Sequence, residues 1–97
     1  MNSYFVYILT NKNNTVLYTG ITNDLVRRIG EHKRKESIKS FTSRYNCDKL
    51  VYFESFESAE DAIFREKQLK RYKRVWKENL INDKNSEWKD LSEDWYE

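Results

Sequence analysis

Tyr4-Phe5-Val6-Tyr7-Ile8-Leu9-Thr10, then Asn11-Lys12-Asn13-Asn14, then Thr15-Val16-Leu17-Tyr18-Thr19 is the stretch on which the fold turns. The first run is β-branched and aromatic, the composition of a strand. The polar residues after it read as a turn, because asparagine tolerates left-handed backbone angles and so replaces a turn glycine. The last run reads as the returning strand of a hairpin. Gly20 then falls where strand is expected to give way to helix. An antiparallel hairpin at this point excludes a doubly wound parallel sheet.

Working outward, Thr22, Asn23 and Asp24 offer helix N-caps. Leu25, Ile29 and His32 recur at helical spacing, which predicts a helix from about 23 to 35. Residues 36–47 mix polar and aromatic side chains and read as a connection, and Leu50-Val51-Tyr52-Phe53 as a third strand. Ser58 followed by Asp61 resembles a capping box with Asp in place of Glu. Ala59, Ala62, Ile63, Leu69 and Tyr72 mark an amphipathic helix to about 73. Val75-Trp76 and Leu80-Ile81 predict a further short helix after a bend. The order is ββαβαα, an α/β arrangement in two or three layers. Residues 1–82 form the body. Residues 83–97 form a tail that sets Trp88, Leu91, Trp95 and Tyr96 among acidic residues and either docks on the body or stays mobile.

Ninety-seven residues suit a single core, and with 15% aromatics that core is rich in Tyr, Phe and Trp. The single cysteine, Cys47, excludes an internal disulfide and a Cys-rich zinc site, and it fits a reducing, cytoplasmic compartment. No run is apolar enough to span a membrane, and no leader segment is expected. The net charge of +2 hides a division: residues 1–82 hold 16 Lys/Arg against 10 Asp/Glu, whereas residues 83–97 hold 2 against 6. A basic body points to an anionic partner such as nucleic acid, although a solvated basic surface with an acidic solubilising tail accounts for the same balance.

Chemistry concentrates in four residues of the first half. Arg28 and His32 are one helical turn apart and share a face beside the Leu25/Ile29 stripe. A guanidinium suits bidentate grip of phosphate, while an ordinary basic helix with His32 packed as a half-buried aromatic fits the same pattern. Tyr7 and Tyr18 stand one on each strand of the hairpin. A phenol, with an unperturbed pKa near ~10, acts as a base at neutral pH only beside positive charge or by concerted transfer. Farther on, Glu66 follows Ala62 and Ile63 and precedes Leu69, so its carboxylate emerges from the apolar face of a basic helix. Such a group demands a partner. A structural ion pair supplies one; a single divalent cation, Mg²⁺ or Mn²⁺, supplies another. The basic positions facing a nucleic acid would be Arg27, Lys33 and Arg34 on the first helix, and Lys70, Arg71, Lys73 and Arg74 on the later ones.

Phe5-Val6-Tyr7, Tyr18-Thr19-Gly20, the run Asn23 to His32 and the run Ala62 to Lys70 together resemble the GIY-YIG nuclease superfamily. The likeness covers residues 3–82 and is nearest to small stand-alone bacterial members. Similar modules begin the excision-repair nuclease subunit and occur in homing endonucleases. The resemblance implies a three-stranded antiparallel sheet flanked by helices and Mg²⁺-dependent phosphodiester hydrolysis of DNA, in repair or recombination. It implies Tyr7 as the general base, Tyr18 as the group orienting water or a phosphate oxygen, and Arg28 as the stabiliser of phosphoryl charge. His32 would assist by hydrogen bonding or proton relay, and Glu66 would be the metal ligand. Ile21 departs from the pattern, standing where some members place a lysine. Glu78 and Asn79 fall near a late asparagine of other members. A binding module of the same fold without catalysis is the alternative. With so small a body, target choice would fall to DNA shape, loop 36–47 or a protein partner.

Overall fold

The computed structural model of the protein describes residues 3–36 and 41–96. Strands β1 (Tyr4–Thr10), β2 (Leu17–Thr22) and β3 (Lys49–Phe56) form one antiparallel sheet in the order β2-β1-β3. Helix α1 (Leu25–Arg34) lies between β2 and β3, and α3 (Ala59–Arg71) and α4 (Arg74–Lys84) follow β3. The expected ββαβαα order is therefore observed. A one-turn helix, α2 (Phe41–Arg44), stands in the connection after α1, and residues 37–40 of that connection lie outside the described residues.

The pleat sorts the core into layers, because alternate strand residues face opposite sides of a sheet. On one side Tyr7, Leu9 and Leu50 pack with Leu25 and Ile29 of α1. On the other, Val6 meets Ala62 and Leu69 of α3, while Ile8, Val51 and Tyr52 meet Ile81 of α4. Val51 and Tyr52 share this side although they are consecutive. The β1–β3 register shifts between Ile8, opposite Tyr52, and Leu9, opposite Leu50, so Val51 is the extra residue of a bulge. The Asn85 side chain, at the C-terminal cap of α4, donates to the Val51 carbonyl at 3.1 Å and secures the bulge.

Both helix starts expected from the sequence carry a side-chain N-cap. Asp24 accepts from the Arg27 N–H at 3.2 Å and Ser58 from the Asp61 N–H at 3.4 Å. Three expectations are corrected. Gly20 does not end the strand; β2 continues to Thr22, and Gly20 sits inside it opposite Tyr7. The third strand runs on past Phe53 to Phe56, because the Glu54 carboxylate is neutralised by a two-point grip from Arg65, with Nε and Nη2 each at 2.9 Å. Ile63 is exposed rather than part of the apolar stripe of α3, whose inward positions include Ala62, Arg65, Glu66 and Leu69, with Tyr72 at its C-cap.

The acidic tail docks. Leu50 on the β3 edge donates its N–H to Asp90 Oδ1 at 3.2 Å and accepts from the Leu91 N–H at 2.7 Å, so backbone polar groups of that edge are covered. Lys33 of α1 reaches Asp90 Oδ2 at 2.6 Å, Trp95 meets Phe53 edge-on, and Tyr96 donates to the Val26 carbonyl at 2.5 Å. Gly30 eases this approach, since a Cβ there would stand 2.9 Å from Arg34 Nη1 and 3.2 Å from the Tyr96 ring.

Candidate active site

Tyr7 and Tyr18 come from neighbouring strands. Tyr18 is opposite Leu9 and Gly20 opposite Tyr7, so both tyrosines and Gly20 face the α1 side. The missing side chain of Gly20 is what lets the Tyr7 ring lie across β2. A Cβ added there would come under 3.0 Å from Tyr7 Cζ and its hydroxyl oxygen. The pattern Tyr-x-Gly thus has a steric cause that sequence inspection assigned to a strand end.

The phenol is enclosed. Tyr7 has no exposed surface. Its hydroxyl lies 3.1 Å from His32 Nε2, and His32 Nδ1 lies 2.8 Å from Thr42 Oγ1 of α2. A protonated phenol donates to Nε2, which puts the imidazole hydrogen on Nδ1 facing Thr42. Burial keeps the ring neutral, pushing the His32 pKa below its ordinary value, with the Arg28 charge acting in the same direction. Burial, and then the neighbouring Tyr18, push the Tyr7 phenol up to about 12 against the opposing pull of Arg28. Tyr18 completes the aromatic wall, 5.8 Å from the His32 ring and stacked at 6.0 Å on Phe41.

Arg28 stands beside this cluster with an unfilled donor. Its Nε is buried and has no hydrogen-bond acceptor among the described residues, although Glu31 Oε1 pairs with it as an ion at 3.3 Å. A phosphate oxygen suits such a group. The structure therefore brings together Tyr7, Tyr18, Arg28 and His32. Thr42 and Phe41 were not singled out from the sequence. The aromatic–hydroxyl pair Phe41-Thr42 was the available signal, hidden in a segment that reads as a connection.

Glu66 lies on α3, the helix that packs on the Val6 face of the sheet. Its half-buried carboxylate pairs with Lys70 Nζ at 2.9 Å on its own helix, and no hydrogen bond or ion pair joins it to the other four among the described residues. As a metal ligand it offers one hard oxygen donor. No group of three or more His, Cys, Asp or Glu side chains able to hold a metal occurs among the described residues. The donor set fits a cation that keeps most of its waters and takes its remaining ligands from substrate phosphate; it does not fit a closed protein cage. Ile21 packs toward α3 with Val6 and Ala62, on the face away from the tyrosines.

The basic positions divide by partner. Arg27 bridges to Glu31, Arg34 to Glu36, Lys33 to Asp90 and Lys70 to Glu66. Arg74 pairs with Glu78 and donates to the Asn14 and Thr15 carbonyls, so it clamps the hairpin turn. Arg71 and Lys73 are exposed and form no ion pair among the described residues.

Comparison with known proteins shows the family and the overall fold. The GIY-YIG catalytic domain model matches residues 3–79. The chain belongs to the GIY-YIG family. Within that family it is similar to the UPF0213 protein of Haloquadratum walsbyi, 35% identical over 83 residues that cover 86% of this chain and 92% of the relative. It is also similar to the UPF0213 protein of Natronomonas pharaonis, 38% identical over 80 residues, 82% of this chain and 92% of the relative. The solution structure of a UPF0213 protein from Bacillus halodurans superposes with a TM-score of 0.58 at 30% identity, covering 95% of this chain and 97% of that one. GIY-YIG membership carries a nuclease-like function and a nucleic-acid substrate. No helix among the described residues is long and apolar enough to cross a membrane.

Proposed function

We propose that this GIY-YIG chain is a divalent-metal-dependent endonuclease that hydrolyses DNA phosphodiester bonds, structure-selective or weakly sequence-specific, with residues 1–82 as its nuclease body. The observation that carries the reading is the Tyr7 hydroxyl set 3.1 Å from His32 Nε2 with the Arg28 guanidinium alongside. Water attacks phosphorus and the bond to the leaving 3′ oxygen breaks. The water proton passes to Tyr7 as the phenol proton passes to His32 Nε2. That concerted transfer needs no free phenolate, which burial opposes. Tyr18 orients the water or a phosphate oxygen, and Arg28 Nε donates to a phosphoryl oxygen as charge accumulates there. Glu66 would hold Mg²⁺ or Mn²⁺ through its carboxylate, with water and substrate phosphate as the remaining ligands, and the cation would supply neutralisation of phosphate charge. The buried thiol of Cys47 supports a reducing, cytoplasmic setting.

Nicked, flapped and supercoiled DNA incubated with the protein and Mg²⁺ or Mn²⁺ tests the proposal. Cleavage by the wild type and its loss in Glu66→Ala and Tyr7→Phe is the expected outcome. Equal cleavage by wild type and Glu66→Ala sinks it. A second reading, a nucleic-acid-binding module without catalysis, draws on the complete enclosure of Tyr7 and the apolar packing of Ile21. Tight, salt-dependent DNA binding with no metal-dependent cleavage selects that reading.

A further inference from the structure

On the side of the sheet away from Tyr7, α3 and α4 enclose a cleft of about 500 Å³ lined by Phe64, Lys67, Gln68, Arg71, Tyr72 and Trp76. Large aromatics normally leave water, yet Phe64 is 70% and Trp76 50% exposed. Side-chain contacts brace the back of the cleft. The Tyr72 ring meets Trp76 edge-on, with centroids 5.3 Å apart at 88°. Arg65 Nη1 donates to the Tyr72 hydroxyl at 3.4 Å and to Gln68 Oε1 at 2.6 Å, while the rest of the guanidinium is held by Glu54 of β3. The Gln68 oxygen is thereby occupied, and its amide nitrogen is the donor end left for a ligand.

The rim is cationic. Residues 64–77 carry seven Lys/Arg against the single acid Glu66. Glu66 pairs with Lys70, whereas Lys67 and Arg71 form no ion pair among the described residues. The surroundings disfavour further positive charge, for burial and then Lys70 and Arg74 lower the Lys77 pKa. Exposed aromatic faces flanked by unpaired cations are what a single nucleic-acid strand requires: bases stack on the rings and phosphates meet the cations. Duplex bases are already stacked and cannot use them.

We propose that the α3–α4 cleft binds single-stranded nucleic acid, with an unstacked base held between Phe64 and Trp76 and its flanking phosphates on Lys67 and Arg71. The proposal rests on the nuclease reading for the class of partner alone. It adds a reason for structure selectivity: a substrate with a displaced single strand engages this cleft as well as the tyrosine side.

Fluorescence anisotropy of a labelled oligothymidylate, in EDTA so that no cleavage is needed, tests it beside a blunt hairpin duplex. Trp76→Ala and Phe64→Ala should each weaken oligothymidylate binding roughly tenfold to a hundredfold. Trp76→Phe should retain most of the affinity, and Lys67→Glu should weaken it and flatten its salt dependence. Duplex affinity should change little in all four. All three positions, Phe64, Lys67 and Trp76, are surface-exposed, so circular dichroism should match the wild type. Unchanged oligothymidylate binding in Trp76→Ala and Phe64→Ala overturns the proposal. So does a sedimentation result in which the wild type is a dimer that Trp76→Ala dissociates, because the occupant is then a second copy. Absence of cleavage with binding intact would defeat the nuclease reading and leave this one standing.

Discussion

Tyr7 and Tyr52 sit in the same sheet, one on each face, and burial raises both phenol pKa values. Their neighbours differ in charge. The Tyr52 hydroxyl donates to the Glu54 carboxylate, itself gripped by Arg65, so a phenolate there would face an anion. The Tyr7 hydroxyl faces a neutral imidazole nitrogen and a guanidinium whose charge favours the phenolate. One proton is locked in place and the other has somewhere to go. Burial of a tyrosine is therefore no guide to its role; the sign of the charge beside its oxygen is.

The comparison breaks most visibly at the locked side. Glu54→Ala strands the half-buried Arg65 and should cost about 3 kcal/mol of stability, read from urea unfolding. A loss of less than about 1 kcal/mol would mean that the pair behaves as a surface ion pair. On the other side, Tyr7→Phe should lower kcat by about 100-fold or more while shifting stability by about 1 kcal/mol. Tyr52→Phe should leave the rate alone, and equal loss in both variants would erase the distinction. Gly20→Ala comes next. Its Cβ collides with Tyr7, so about 1–3 kcal/mol should be lost, and less in a Tyr7→Ala background where the collision is gone.

The smallest effect lies in the pH response. Because the folded His32 pKa is below its ordinary value of about 6.5, the unfolded chain binds the proton more readily. The His32 contribution to stability is complete above about pH 6.5 and declines as pH falls through the folded pKa. The acidic limb of kcat should also lie below about pH 6.5, since His32 must be neutral to accept the phenol proton. An acidic limb well above that value would remove His32 from the relay. Tyr7, raised to about 12, should contribute no titration below pH 10.

Much of the fold was legible because local chemistry and tertiary environment agree. The β-branched run of β1, the Ser58 and Asp24 caps and the asparagine turn each favour one local conformation, and each took it. The candidate site was legible in part. Arg28 and His32 share a face by helical geometry alone, and the tyrosines share one by strand pairing. Gly20 was misplaced because glycine weakens strands locally, and only the ring of a residue on another strand explains it. Glu66 was correctly set on the inward side of α3. Its neighbours depend on which face of the sheet α3 covers, and strand periodicity does not encode that.

The sequence by itself determined the elements of this protein, its basic body and the identities of its reactive side chains. These follow from backbone sterics, periodicity and formal charge, which are properties of neighbours along the chain. Only the tertiary structure decided that Tyr7 is sealed against His32, that Thr42 orients the imidazole and that the acidic tail covers the β3 edge. The division between a tyrosine side and an aromatic, cationic α3–α4 side was decided there too. Each depends on packing between residues far apart in sequence, where burial and the nearest charge set what a side chain can do.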